Sequence, residues 1–318
     1  MADKFIIQKA IRQLVWCKVA LIGPSGSGKT YSALKVARGM QTKLKELDQE
    51  TGILMANNES TRGLYYANEF EYDIMDIAAP HNPEKYVELI QFAVDEDYKI
   101  LIIDSTSHEW EGKGGCLDLH NQAGGTWAAW AKVTPRHNEF LYAIADSPIH
   151  IIATMRGKDQ YEVEKTTGGK TSIRKVGIGP KQREGVEYEF TCSFLLDQSD
   201  NMALYQKDNT HIFEDLGNIL FDDKHGVQII EWANSGDAVY IPVVRDDPPT
   251  EKEMVKTLAN EVIDRCKELG GSKNEAVVAV LDQKKKGYLR NPKNIKDLAV
   301  LKSLLGELKD VKPLKESK

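Results

Sequence analysis

Several things are scarce in this 318-residue sequence, and each absence removes a class of protein. No apolar run approaches the ~20 residues that a bilayer-spanning helix needs. The segment Met1 to Arg12 is too polar to read as a signal peptide. No membrane partner is therefore expected. Cysteine is sparse: Cys17, Cys116, Cys192 and Cys266 lie far apart and form no C-x-x-C pair. That excludes a disulfide scaffold and fits reduced thiols in a cytoplasmic protein. Basic charge is not in excess, since 42 Lys/Arg stand against 48 Asp/Glu, a net of −6. There is no internal repeat, and no Asn-Lys-x-Asp motif of the kind that reads guanine.

What remains is the composition of an ordinary globular protein, 41% hydrophobic and 28% charged. The length exceeds what one core usually serves, so a main domain with an appendage is expected. Asp246-Asp247-Pro248-Pro249 reads as a linker. It divides a core over 1–245 from a helical region over 251–318, with 246–250 between them. Charge divides the same way. From Glu251 onward there are 16 basic and 11 acidic residues, a net of +5; the remaining 26 basic and 37 acidic residues give −11. Contact with nucleic acid would have to be local.

The most informative residues are Gly23, Pro24, Ser25, Gly26, Ser27, Gly28, Lys29 and Thr30, a complete G-x-x-x-x-G-K-[ST] loop. Val15 to Ile22 before it reads as a strand, and Thr30 to Met40 after it reads as a helix. That strand–loop–helix context is what the motif requires. Its glycines let successive backbone N–H groups face phosphate oxygens, and the helix start adds its positive dipole end. Lys29 reaches the β and γ phosphates, Thr30 ligates Mg²⁺, and Tyr31 follows at the start of the helix. The cofactors predicted are ATP and Mg²⁺.

Further along, Gly52–Asn57, Tyr72–Ile77, Tyr98–Ile103 and Ile149–Thr154 read as strands. Arg62–Phe70, Pro83–Val94 and Pro135–Ala145 read as helices between them. This alternation predicts a parallel sheet covered by helices. The second half changes character: Glu189–Leu196, Met202–Lys207 and Val227–Trp232 read as short strands forming a β-rich extension. Three helices are predicted beyond it, over 251–269, 274–281 and 294–308.

Asp104 closes the strand Lys99–Ile103, expected beside the phosphate-loop strand, and would hold Mg²⁺ through water. Two glutamates compete to activate the attacking water. Glu59 lies just past the second strand, where open α/β sheets place ligands, and Glu109 lies five residues beyond Asp104. Thr154 at its strand end is a candidate for the γ-phosphate or the water.

Between Arg156 and Arg183 there are eight basic and three acidic residues, with Gly168-Gly169 at a tip. Arg156, Lys158, Lys170, Arg174, Lys175, Lys181 and Arg183 are the candidates for polynucleotide phosphates. A Gly-rich segment, Glu111–Thr126, leads to Trp127, which is expected to pack into the core in preference to stacking a base. His108, His120 and His137 with Cys116 match no zinc spacing, so no metal beyond Mg²⁺ is expected.

Taken in order, five segments resemble the phage-encoded members of the RecA-like recombinase ATPases. They are Gly-Pro-Ser-Gly-Ser-Gly-Lys-Thr-Tyr-Ser-Ala-Leu (23–34), Leu-Ile-Ile-Asp-Ser-Thr-Ser-His-Glu-Trp-Glu-Gly (101–112), Thr-Pro-Arg-His-Asn (134–138), Ile-Ile-Ala-Thr-Met-Arg (151–156) and Gln-Arg-Glu-Gly-Val-Glu-Tyr-Glu-Phe (182–190). The likeness covers about residues 5–215. It implies a RecA-like P-loop core, a catalytic glutamate at Glu59, and two loops, 112–126 and 156–183, that contact single-stranded DNA. It also implies a basic residue supplied in trans, for which Lys207 is similarly placed, within a homo-oligomeric ring or filament. The activity implied is a DNA-stimulated ATPase of phage recombination, annealing or replication, in the host cytoplasm, working with single-strand-binding or other replication and recombination proteins. Two other readings compete: a small-molecule or nucleotide kinase with a basic lid, and a nucleotide-gated adaptor of a replication complex.

Overall fold

The computed structural model describes residues 9–165, 171–236, 251–270, 274–283, 298–309 and 311–312. The chain divides into two compact units, Met1–Tyr240 and Ile241–Lys318. The first is an α/β unit built on an eight-stranded, mostly parallel sheet.

Its strands are β1 (Lys18–Gly23), β2 (Ile53–Asn57), β3 (Asp73–Asp76), β4 (Ile100–Asp104), β5 (His150–Lys165), β6 (Thr171–Pro180), β7 (Cys192–Leu196) and β8 (Ala203–Asp208). They lie in the order β3-β2-β4-β5-β1-β7-β8, with β6 paired only to β5. All neighbours are parallel except β7–β8 and β5–β6. The expectation that the strand of Asp104 neighbours the phosphate-loop strand is corrected here. β5 lies between β4 and β1, so Thr154 stands directly between the two.

Strand periodicity sorts the side chains into two cores. On β4, Ile100 and Ile102 join Leu21, Met55 and Ile152 on one face, while Leu101 and Ile103 join Ala20, Ile22 and Ile151 on the other. The first face is covered by α1 (Lys29–Glu46) and α6 (Asp223–Ala233), the second by α2 (Pro83–Asp95) and α5 (Trp130–Asp146). Near-continuous apolar strands are what burial on both faces demands. α1 and α6 approach closely enough that a Cβ on Gly39 would lie 1.9 Å from the Asp223 carbonyl oxygen.

The predicted strand Val227–Trp232 is instead part of α6. Asp222 caps it, accepting from the Lys224 N–H at 3.1 Å, and His225 Nδ1 accepts from the Asp222 N–H. Ile229, Ile230 and Ala233 supply its buried stripe. The predicted helix Arg62–Phe70 reduces to a 3₁₀ turn, Ser60–Leu64, followed by turns. The short α3 (Ser107–Glu111) and α4 (Cys116–Gln122) lie between β4 and α5.

The second unit contains α7 (Glu251–Glu268), α8 (Glu275–Gln283) and α9 (Leu298–Lys309). They share a core that includes Val262, Leu269, Leu301, Leu304 and Leu308. The expected linker 246–250 lies outside the described residues. Among the described residues, no helix is long and apolar enough to cross a membrane.

Candidate functional site

The carboxyl ends of β1, β2, β4 and β5 share one edge of the sheet, so the segments that follow them meet there. After β1 the chain turns through Gly26 and Gly28, whose φ values of +80° and +79° are left-handed and strained for any side chain. This shapes the loop ahead of α1. The Lys29 ammonium folds back onto the carbonyls of Gly23 (2.9 Å) and Pro24 (2.8 Å). Its burial lowers its pKa, with Asp104 and Glu59 acting in the opposite sense. Ser27 is buried and donates to the Pro24 carbonyl. From the turn after β7, the Gln198 and Asn201 amides donate to the Ser25 and Gly26 carbonyls and brace the loop.

Asp104 is buried and held from both sides. The Thr30 hydroxyl donates to Oδ2 at 2.6 Å and the Thr154 hydroxyl to Oδ1 at 2.5 Å. Burial pushes its carboxyl above the usual range, and the two hydroxyls act against that shift. A threonine hydroxyl beside a carboxylate is the oxygen donor pair that Mg²⁺ takes in phosphate-loop sites. Both groups border a cleft of about 430 Å³ that also includes Lys29, Glu59, Tyr66 and Arg156.

The two candidate glutamates occupy different surroundings. Glu59 borders the cleft, where its Oε1 accepts from the Arg156 guanidinium at 2.8 Å and its Oε2 lies 3.5 Å from Arg62. Partial burial raises its carboxyl, but the hydrogen bond and charge of Arg156 outweigh that and hold it below the usual range. Glu109 is fully buried away from the cleft. Its carboxylate meets Cys116 Sγ (3.0 Å), His137 Nδ1 (3.0 and 3.2 Å) and the Gln182 amide (3.0 Å). A carboxylate surrounded by three donors holds α3, α4 and α5 together and does not border the cleft. Cys116 and His137 thus meet at Glu109, whereas His108 faces Arg156 and His120 stacks on Trp130.

Other expected site residues fall elsewhere. Tyr31 packs edge-on against Tyr66 and Phe70 and donates to Glu69, and it is Tyr66 that reaches the cleft. Arg156 and Lys181, expected on a polynucleotide loop, border the nucleotide cleft and pair with Glu111 at 3.8 and 3.5 Å. Lys158 lies where β5 runs beyond the sheet to pair with β6, and Arg183 follows β6. Lys170 lies outside the described residues, and only the backbone is described at Arg174 and Lys175. Trp127 is 91% exposed, so the expectation that it anchors the core is overturned. Trp130 stacks between Trp110 and His120 and takes that packing role. Lys207 on β8 donates to the Tyr188 carbonyl and does not border its own chain's cleft.

Sequence reasoning assigned no role to Asn57 and Asn58. Asn58 accepts from the Ser105 N–H and donates to the Ser105 carbonyl, clasping the chain beside Asp104. Asn57 accepts from the Glu59 N–H and donates to Ser60 and Asp76, which fixes the turn presenting Glu59. Polar residues at the end of an otherwise apolar strand were the only available clue.

A phosphate loop ending one parallel strand, with a threonine-bridged carboxylate two strands away, defines a P-loop nucleoside triphosphatase. Residues 17–202, more than half of the chain, match the AAA_24 family, described as an AAA domain. The protein belongs to that family, which makes it an ATPase of the P-loop type. No curated protein matches the sequence.

Proposed function

We propose that this protein is a RecA-like ATPase that hydrolyses ATP with Mg²⁺ and uses the cycle to hold and release single-stranded DNA in phage recombination, annealing or replication. Lys29 and the phosphate-loop N–H groups grip the triphosphate, Thr30 and Asp104 hold the metal, and Glu59 orients the attacking water. The Thr30–Asp104–Thr154 bridge facing Glu59 across one cleft carries the ATPase part of this reading.

The polynucleotide part rests on Trp127, whose indole is exposed in a segment reached from the same sheet edge. An exposed indole supplies a stacking face for a base, and the β5–β6 hairpin that leaves that edge is rich in basic residues. Lys207 stands on the edge strand β8, outside its own cleft, and would serve a neighbouring subunit of a ring or filament. The test is single-strand binding by empty, ADP-filled and ATP-analogue-filled protein. Tight binding confined to the analogue-filled form is expected, and equal binding in all three removes the coupling. Phosphate transfer to a small-molecule acceptor, with no effect of DNA, would favour a kinase instead.

A further inference from the structure

We propose that Arg156 reads the γ-phosphate and, while the cleft holds none, occupies Glu59, so that ATP itself frees the carboxylate that activates water. This rests on the ATPase reading above and adds a residue and an order of events to it.

The placement comes from sheet register. On the parallel β1–β5 pair, Arg156 lies opposite Gly23, the first residue of the phosphate loop. Thr154, two residues earlier and so on the same strand face, bonds Asp104. Arg156 therefore rises one pleat beyond the metal-side bridge, toward the crest where the terminal phosphate of a nucleotide on Lys29 would lie. Its backbone N–H is fixed to Ser107 Oγ at 2.9 Å, which leaves the side chain as the part free to change partners.

The contacts supply the exchange. The guanidinium holds Glu59 at 2.8 Å, lies 3.3 Å from His108 Nε2, and is 3.8 Å from Glu111, a carboxylate it shares with Lys181. Its side chain is 39% exposed, so leaving one carboxylate costs little in screened surroundings. A γ-phosphate offers a denser charge and a planar fork fits two of its oxygens. ADP offers neither. Glu59 bound to a cation is a weakened base, which matches its depressed carboxyl. Removing the cation restores its basicity where water must be activated.

If the two partners compete, each variant changes the affinity for ATP and leaves that for ADP alone. Mg²⁺-dependent binding of ADP and of a non-hydrolysable ATP analogue is measured by calorimetry on the full chain. Arg156→Ala should weaken the analogue about 10- to 100-fold and shift ADP by less than about twofold. Arg156→Lys, which keeps the charge without the fork, should fall between. Glu59→Gln should tighten the analogue by ~3- to 10-fold, and that gain should vanish in the Arg156→Ala/Glu59→Gln double variant. Equal effects on both nucleotides, no effect on either, or a Glu59→Gln gain that survives loss of Arg156 would overturn the proposal. Wild-type protein that binds neither nucleotide would overturn the ATPase reading itself.

Discussion

The hydroxyl of Thr30 lies 2.6 Å from Asp104 Oδ2 although 74 residues separate the two in sequence. The helix that follows the phosphate loop and the strand that ends in Asp104 thus present two hard oxygen ligands to one point. Replacing Asp104 with Asn should leave nucleotide binding without Mg²⁺ nearly unchanged and remove the Mg²⁺-dependent gain, as nucleotide titrations with and without the metal would report. Because burial raises the Asp104 carboxyl, its proton is kept to a higher pH than on an ordinary aspartate. Metal binding should therefore fail, as pH drops, above the usual carboxylate range.

Glu59 and Glu109 separate by readout. Glu59→Gln should retain nucleotide and slow phosphate release by about 10² to 10⁴, with an unfolding midpoint close to wild type. Glu109→Gln should act on stability, because a buried carboxylate with Cys116, His137 and Gln182 as donors is replaced by an amide that cannot accept from all three. A loss of about 1–3 kcal/mol is expected, read by denaturant unfolding. The opposite pattern would exchange their roles.

Lys18 lies at the start of β1, buried, donating to the Ser147 carbonyl and hydroxyl and to the Ile149 carbonyl. Burial lowers its pKa to about 7, against an ordinary 10.5. Between those values the unfolded chain binds the proton more tightly than the folded one, so stability should rise with pH across that window. Urea midpoints at pH 7 and pH 9 should show this rise, and Lys18→Met should remove Lys18's share of it. A rise of wild-type size in Lys18→Met would assign the effect to other groups.

Trp127 and the basic hairpin give two signatures of single-strand binding. Trp127→Ala should cost about 1–3 kcal/mol of affinity while leaving ATP turnover without DNA unchanged. About four phosphate contacts predict a log–log salt slope near −3. Fluorescence anisotropy across a salt series measures both, and a flat response would exclude phosphate contacts.

The phosphate loop and Asp104 were legible because each is a short, local pattern whose chemistry requires those residue types side by side. Glu59 with Arg156 was not, since 97 residues separate them and only the register of β5 against β1 brings the guanidinium to the cleft. Arg156 accordingly read as a basic loop residue. Val227–Trp232 misled for a different reason: its β-branched and aromatic residues suit a strand, but the cap at Asp222 and a groove against α1 make a helix. Trp127 and Trp130 look alike in sequence, and only tertiary packing decides which is covered. The order of strands was equally hidden, because no local signal says that β5 threads between β1 and β4.

The most direct test is phosphate release from ATP by wild-type protein as single-stranded DNA is titrated in, with Lys29→Ala as the control. Mg²⁺-dependent release that rises with added DNA and disappears in Lys29→Ala is the predicted result. Release that stays the same with and without DNA, or that persists in Lys29→Ala, would contradict the account.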